Sequence, residues 1–298
     1  MNRARSLFAI IQRASTTRGT AVMGICNVTP DSFSDGGQAF DEQDARARID
    51  VLLHEGADIL DIGGESTRPG AAPVPASVQL ARVLGVVRYA VEKAEAAGAC
   101  VTIDTASPEV ARACLDAGAC AVNDVSCLRD DALADEIARA DAAFILMHAR
   151  GTQAEMRGFS DYRGAYDDVV KDVIAEWRAA AERAMSRGVP HASLLMDPGL
   201  GFAKTAAQSA ELLRRLPEIA RAVEVPIVIG ASRKSFLTKL TQGASLPAER
   251  APAERLGASI GAAIHAASLG AKVVRVHDVA TTRQALDVVK ALGGADHA

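Results

Sequence analysis

Asp104, Asn123 and Asp197 each stand where a short apolar run gives out, and together they offer two carboxylates and an amide. Such a set suits a flat heterocycle rich in N–H groups, because a carboxylate accepts two parallel N–H bonds from an amino-pyrimidine edge and an amide both gives and takes one. Arg68, Arg233, Arg275 and His277 occupy comparable places and suit a phosphate or diphosphate, with the Ser235 hydroxyl nearby. Asn27, Asp61, Thr67, His148 and Lys234 complete the polar set. A ligand matching both groups has a heteroaromatic head and an anionic tail. No Ser–His–Asp order or Cys–His pair stands out, so the chemistry indicated is binding and charge stabilisation rather than attack by a protein nucleophile. Asp31 and Asp35 on the first loop offer hard oxygens for a Mg2+ on the diphosphate. Each residue also has an ordinary explanation on its own: Asp104 and Asp197 can cap the next helix, Asn123 can brace a turn, and Arg275 can pair with Asp61. Polar residues at the end of every apolar run are harder to assign to capping alone.

Positioning such a set takes many strand ends in one place. Apolar runs at Ala21–Cys26, Ala57–Ile62, Ala99–Ile103, Cys120–Val122, Ala143–Met147, Ser193–Met196, Val225–Ile229 and Lys272–Val276 read as buried strands. Helical spacing fills the intervals. Glu42–Gly56 puts Ala45, Ile49, Leu52 and Leu53 on one face, Tyr166–Gly188 carries Val169, Val173 and Trp177 at i, i+4 and i+8, and a last helix runs from Thr281 to Leu292. Ser107-Pro108-Glu109 is a helix start, with a hydroxyl cap and proline at the first helical position. Eight such alternations predict an α/β chain folded as one (β/α)8 TIM barrel across 1–298, with 1–20 as a short amphipathic lead-in. The strand C-termini of such a barrel share a mouth, so the polar set should converge there. An open doubly wound sheet would need a glycine-rich phosphate turn after the first strand, and Asn27-Val28-Thr29-Pro30 is not one.

A hydrophobic share of 49% supplies the core that a single large barrel needs. The formal net charge of -4 argues against nucleic acid or an anionic membrane as the main partner. None of the five cysteines forms a Cys-x-x-Cys pair, which fits reduced thiols in a cytoplasmic protein. The opening MNRARSLFAIIQRAS is broken by Arg13 before any signal-peptide core develops. Leu256–Gly270 is apolar but short of the roughly 20 residues a bilayer span requires. Its Gly257-x-x-x-Gly261 spacing suits close packing, either on the sheet or against a second subunit.

Seven segments in order also carry a family resemblance: NVTPDSFSDGG from Asn27, ESTRPGA from Glu65, IDT from Ile103, NDV from Asn123, DPGLGF from Asp197, SRKS from Ser232 and RVHDV from Arg275. The chain resembles the dihydropteroate synthases, the folate-pathway enzymes that sulfonamides target. The resemblance implies a barrel that joins 6-hydroxymethyl-7,8-dihydropterin diphosphate to p-aminobenzoate, giving 7,8-dihydropteroate and diphosphate. By position, Asp104, Asn123, Asp197 and Lys234 would hold the pterin, with Met147 and Phe202 against its ring. Asn27, Arg68, Arg275 and His277 would take the diphosphate and its Mg2+, with Asn27 on the metal. Phe33, Thr67, Pro69 and Ser235 would form the p-aminobenzoate pocket. The implied assembly is a homodimer acting on small molecules. Two departures stand out: Ala203 and Cys127 occupy places where the family pattern has glycine.

Overall fold

The computed structural model describes residues 3–29, 42–66, 73–151, 166–240 and 251–293. Eight parallel strands form one sheet: β1 (Ala21–Asn27), β2 (Ile59–Gly63), β3 (Cys100–Asp104), β4 (Ala121–Asp124), β5 (Ala143–Met147), β6 (Leu194–Asp197), β7 (Val228–Ile229) and β8 (Val273–Val276). Ladders run β6-β5-β4-β3-β2-β1-β8-β7. A single parallel bridge between Met196 and Ile227, supported by the Met196 amide donating to the Pro226 carbonyl at 3.0 Å, brings the outermost strands together. The result is the TIM barrel that the alternation predicts.

Strand side chains alternate between faces, so each strand sends every second residue inward. The outward set, including Leu60, Ile62, Val101, Ile103, Val122, Phe144, Leu146 and Val274, packs under the surrounding helices. These are α2 (Glu42–His54), α3 (Ala76–Ala97), α4 (Pro108–Asp116), α5 (Ala132–Arg139), α6 (Val169–Ser186), α7 (Ala206–Arg214), α8 (Leu216–Val223), α9 (Phe236–Leu240), α10 (Leu256–Ser268) and α11 (Val279–Gly293), preceded by α1 (Arg3–Arg18). Ser107 caps α4 as expected, its side chain accepting from the Val110 amide, with Pro108 in the first turn. The simple one-helix-per-strand pattern breaks after β6, where α7 opens with a Thr205–Gln208 capping box and Pro217 starts α8 as a separate segment.

The inward set is graded along the barrel axis. Its lower layers are apolar: Ala21, Met23, Ile59, Ala121, Ala143, Ile145, Leu195, Val228 and Val273. The lead-in is more than the short segment read from the sequence, for α1 spans 16 residues and seats Leu7, Ile10, Ile11 and Ala14 on this apolar floor. Above it the same strands turn polar, with Asp61, Thr102, Asp104, Asn123 and Asp197 all buried. Among the described residues, no helix is long and apolar enough to cross a membrane.

Candidate active site

At the mouth, the fully buried Asp61 of β2 organises its neighbours. One oxygen accepts from Thr102 at 2.5 Å, and the other accepts from the Asn123 amide at 3.0 Å and from Arg275 Nε at 2.6 Å. The same guanidinium donates through its NH2 group to Asp104 Oδ2 at 2.6 Å. Arg275 therefore does pair with Asp61, but it links that carboxylate to Asp104 rather than serving only as a structural tie. Asp104 Oδ1 is buried and has no hydrogen-bond partner among the described residues. Burial pushes the Asp104 carboxyl up to about 7 against the opposing pull of Arg275. An acceptor held in this way is available to a ligand N–H.

Asp197, at the end of β6, accepts from the Gly199 amide at 2.7 Å, and burial raises its carboxyl although Lys234 favours the ionised form. Lys234 lies over the Phe202 ring, 4.6 Å from its centroid, and donates to the Leu200 carbonyl at 2.6 Å. Burial lowers its amine to about 8, with Asp197 opposing. Met147, Phe202, Val125 and Ala203 form a small apolar cluster of their own. The residues assigned to one heterocycle thus meet: acids from β3 and β6, an amide from β4, a lysine after β7, and an apolar patch from β5 and the β6 loop.

Space for them comes from glycines on the inward register. A methyl group at Gly63 would sit 3.4 Å from Asp104 Cβ and 3.8 Å from Asn27 Oδ1, so Gly63 keeps clear the ground between those two side chains. At Gly230 a methyl would lie 3.6 Å from Asp197 Oδ2 and 3.9 Å from Arg275. Sequence reasoning passed over both glycines and gave Thr102 no part. Period-two counting finds them, since Gly230 follows Val228 inward and Thr102 precedes Asp104.

The anion-binding set is partly rearranged. His277 Nδ1 lies 3.0 Å from the Ser232 hydroxyl, whose oxygen accepts from the His277 amide at 3.2 Å. That hydroxyl can give its proton to Nδ1, and in that tautomer the other ring nitrogen is the donor. Burial, aided by Arg233 and Arg275, holds the imidazole down to about 3, so it is neutral at physiological pH. Arg233, grouped with the phosphate-binding arginines on sequence grounds, instead grips Asp278 with both arms at 2.5 and 3.0 Å. Its φ of 59° and the Ser259 hydroxyl, which accepts from its amide at 2.8 Å, fix the turn leading into Lys234 and the half-buried Ser235. Asn27 ends β1 at the level of Gly63. Phe33, Thr67, Arg68 and Pro69 lie outside the described residues, as do Asp31 and Asp35. His148, placed at the mouth by the sequence, is fully buried and turns its ring to Glu176 and Lys204.

Residues 23–277 match the model of the family described as pterin binding enzyme. A dihydropteroate synthase from Mycobacterium leprae is 45% identical over 279 residues, covering 93% of this chain and 94% of that one. The chain belongs to the dihydropteroate synthases within the pterin-binding enzymes. Solved structures place this family's fold on it as well. A Xanthomonas albilineans dihydropteroate synthase with 4-aminobenzoic acid superposes with a TM-score of 0.80 at 40% identity, covering 92% of this chain and 93% of that one. A second structure from that organism, in complex with 7,8-dihydropteroate, gives 0.78 at 36% identity over 94% of this chain and 98% of the other. The pterin-binding match begins inside β1 and ends at His277, so it takes in every strand of the barrel.

Proposed function

We propose that this chain condenses 6-hydroxymethyl-7,8-dihydropterin diphosphate with p-aminobenzoate, forming 7,8-dihydropteroate and diphosphate for folate synthesis. The observation that carries the reading is the buried Oδ1 of Asp104, without a hydrogen-bond partner among the described residues and within electrostatic reach of Lys234, which also meets the field of Asp197 and lies over the Phe202 ring. Asp104, Asn123 and Asp197 take the donor-rich edge of the pterin, Lys234 faces an acceptor, and the ring rests on Met147 and Phe202. Arg275, His277, Arg68 and Asn27 receive the diphosphate, while Phe33, Thr67, Pro69 and Ser235 close around p-aminobenzoate.

The reaction is an SN1-like substitution at the pterin methylene. The bond from carbon to diphosphate oxygen breaks with its electron pair leaving on oxygen. The electron-rich dihydropterin spreads the resulting positive charge, and the neutral aniline nitrogen then bonds to carbon and gives up a proton. No strong base is required. The chain's contribution is to stabilise the departing anion with Arg275 and the neutral N–H of His277, with ionised acids around the pterin favouring the cation. Closure of the first two loops would keep water from that cation.

Mg2+ fits this arrangement as a metal shared with the substrate. It binds oxygens, keeps several waters and commonly takes only one or two protein ligands beside phosphate. Among the described residues no group of three or more His, Cys, Asp or Glu side chains could cage a metal, whereas Asn27 offers a carbonyl oxygen at the mouth. Asn27 would hold the ion, which when bound neutralises diphosphate charge.

The assembly is a homodimer through α10. Its inner face, with Ala262, Ala263 and Ala266, is buried, while Gly257 and Gly261 stand exposed with nothing within 4 Å of a methyl placed on either. A Gly261→Arg variant should run as a monomer in light scattering; a wild-type monomer would remove the dimer. The thiols Cys26, Cys100, Cys114, Cys120 and Cys127 are all free, in keeping with a cytoplasmic enzyme. The function itself is tested by mixing the protein with both substrates and Mg2+ and measuring diphosphate release. Release dependent on p-aminobenzoate is expected; pterin binding without release would leave a binding protein in place of an enzyme.

A further inference from the structure

Lys204 takes no part in the mechanism above, yet it is 1% exposed and lies directly behind the pterin-facing loop. Its ammonium is 2.9 Å from His148 Nδ1 and donates to the Gly199 and Phe202 carbonyls at 3.0 Å each, with the His148 carbonyl farther away at 3.4 Å. An ammonium has three protons and no lone pair, so these three short contacts use all of them. Burial lowers this amine to about 7, with Asp197 opposing, and in the protonated form His148 Nδ1 is the acceptor. Its proton sits on Nε2, which donates to Glu176 Oε2 at 3.0 Å. Glu176 is held low, at about 2, by His148 and Arg150, and Arg150 Nε reaches both of its oxygens at 3.0 Å. With Lys204 protonated, the chain of contacts from α6 to the β6 loop has one consistent proton arrangement.

The observed shape of that loop requires glycine at 199. Gly199 has φ 69°, and a methyl on it would lie 1.9 Å from the His148 carbonyl oxygen. The two carbonyls gripped by Lys204 flank three groups of the site. The Gly199 amide orients the Asp197 carboxylate, the Leu200 carbonyl receives Lys234, and the Phe202 ring lies under the same ammonium. Without its ammonium the Gly199 and Phe202 carbonyls would be left without that donor in a buried place, which favours a rearranged turn.

We propose that Lys204, keyed by His148 and Glu176, is a positioning residue that fixes the turn from Asp197 to Phe202 in the form that binds the pterin. This rests on the reading of Asp197 and Phe202 as pterin contacts. Lys204 touches no reacting atom, so its loss falls on pterin capture. In Lys204→Met, KM and the directly titrated dissociation constant for the pterin diphosphate should rise about tenfold or more. At saturating pterin, kcat should fall less than threefold, and KM for p-aminobenzoate should move less than twofold. A purely structural residue would instead reduce the active fraction and leave KM of the remaining molecules unchanged.

If Lys204→Met does not fold, Glu176 carries the test. Glu176→Ala should reproduce the rise in pterin KM, and Glu176→Gln, which retains an acceptor for the His148 Nε2–H, should restore it to within about threefold. Unchanged pterin KM in the folded variants, or equal losses for both substrates, overturns the role of Lys204. A wild-type protein that releases no diphosphate overturns the assigned reaction instead, so the two failures are told apart.

Discussion

The two ends of the barrel are built from the same strands and solve opposite problems. The floor stacks Met23, Ile59, Ile145, Leu195 and Val273 under α1 and excludes water by packing. At the mouth, further along the same strands, Asp61, Asp104 and Asp197 are buried and the half-buried Arg275 joins the first two, so the charges there are only partly balanced. The floor is not wholly apolar, since Asp58 at its rim accepts from the Val22 amide at 2.9 Å and meets Arg283 and Arg18. Its charges meet in ion pairs, although Arg283 Nε and NH1 are buried without a hydrogen-bond partner among the described residues, so the floor leaves donors open where the mouth leaves an acceptor open on Asp104. Left-handed backbone occurs at both ends, for Asp141 and Glu224, with φ of 49° and 55°, lie in loops that enter strands. Ala203, Arg233 and Cys127, all in loops leaving strand C-termini, adopt φ of 52°, 59° and 62°. Stability is concentrated at one end and ligand readiness at the other.

The contrast breaks most severely if the ends respond alike to mutation. Arg275→Ala should lower kcat/KM at least 100-fold, the scale seen when one stabiliser of a developing anion is removed. It should also cost about 3 kcal/mol of stability, because Asp61 and Asp104 lose their buried partner. Pterin affinity, held by other groups as well, should fall much less than turnover in parallel kinetics and pterin titration. Equal rates in variant and wild type would remove the role of Arg275.

Leu7→Ala probes the other end. It should cost roughly 3 kcal/mol in denaturant unfolding, the usual penalty for a deeply buried leucine, while KM for both substrates stays as it was. A changed KM would mean that the floor shapes the mouth.

A smaller effect should appear on varying pH. An acid whose value is raised is neutral below it, so kcat/KM for the pterin diphosphate should climb as pH passes about 7 and Asp104 ionises. It should decline above about 8, where Lys234 loses its proton. Each limb approaches tenfold per pH unit, and Asp104→Asn should flatten the rising one. A rising limb that survives this substitution belongs to another group.

Ala203→Gly is the mildest test. Relief of the left-handed backbone is worth about 1 kcal/mol at most after the extra entropy of glycine in the unfolded chain is counted, or roughly 2 °C in Tm. A lower Tm would show that the Ala203 methyl packs more usefully than its backbone is strained.

What the sequence disclosed follows from this asymmetry. Inward polar residues at strand ends break an apolar period, and that made Asp104, Asn123, Asp197 and Arg275 visible without coordinates. Ala203 and Cys127 were visible too, as departures from a glycine pattern, though only the positive φ explains why the pattern prefers glycine there. Partner choice was not visible. Arg233 and Arg275 look alike in a string of letters, yet Asp278 lies beside one and Asp61 with Asp104 beside the other. Nor does periodicity say where a helix docks, so α1 read as a lead-in although it covers an entire end of the molecule.

The closure between β6 and β7 rests on one bridge and one amide from Met196, while β7 pairs with β8 over two residues and β6 with β5 over four. Asp197 stands above one lip of that slit and Gly230 with Lys234 above the other. The wall is thus most easily pried apart where the pterin would lie, and a bound ring gripped from both lips acts as a rivet across it. Amide deuteration at 227–230 should accordingly slow on ligand binding more than it does on the far side of the cylinder.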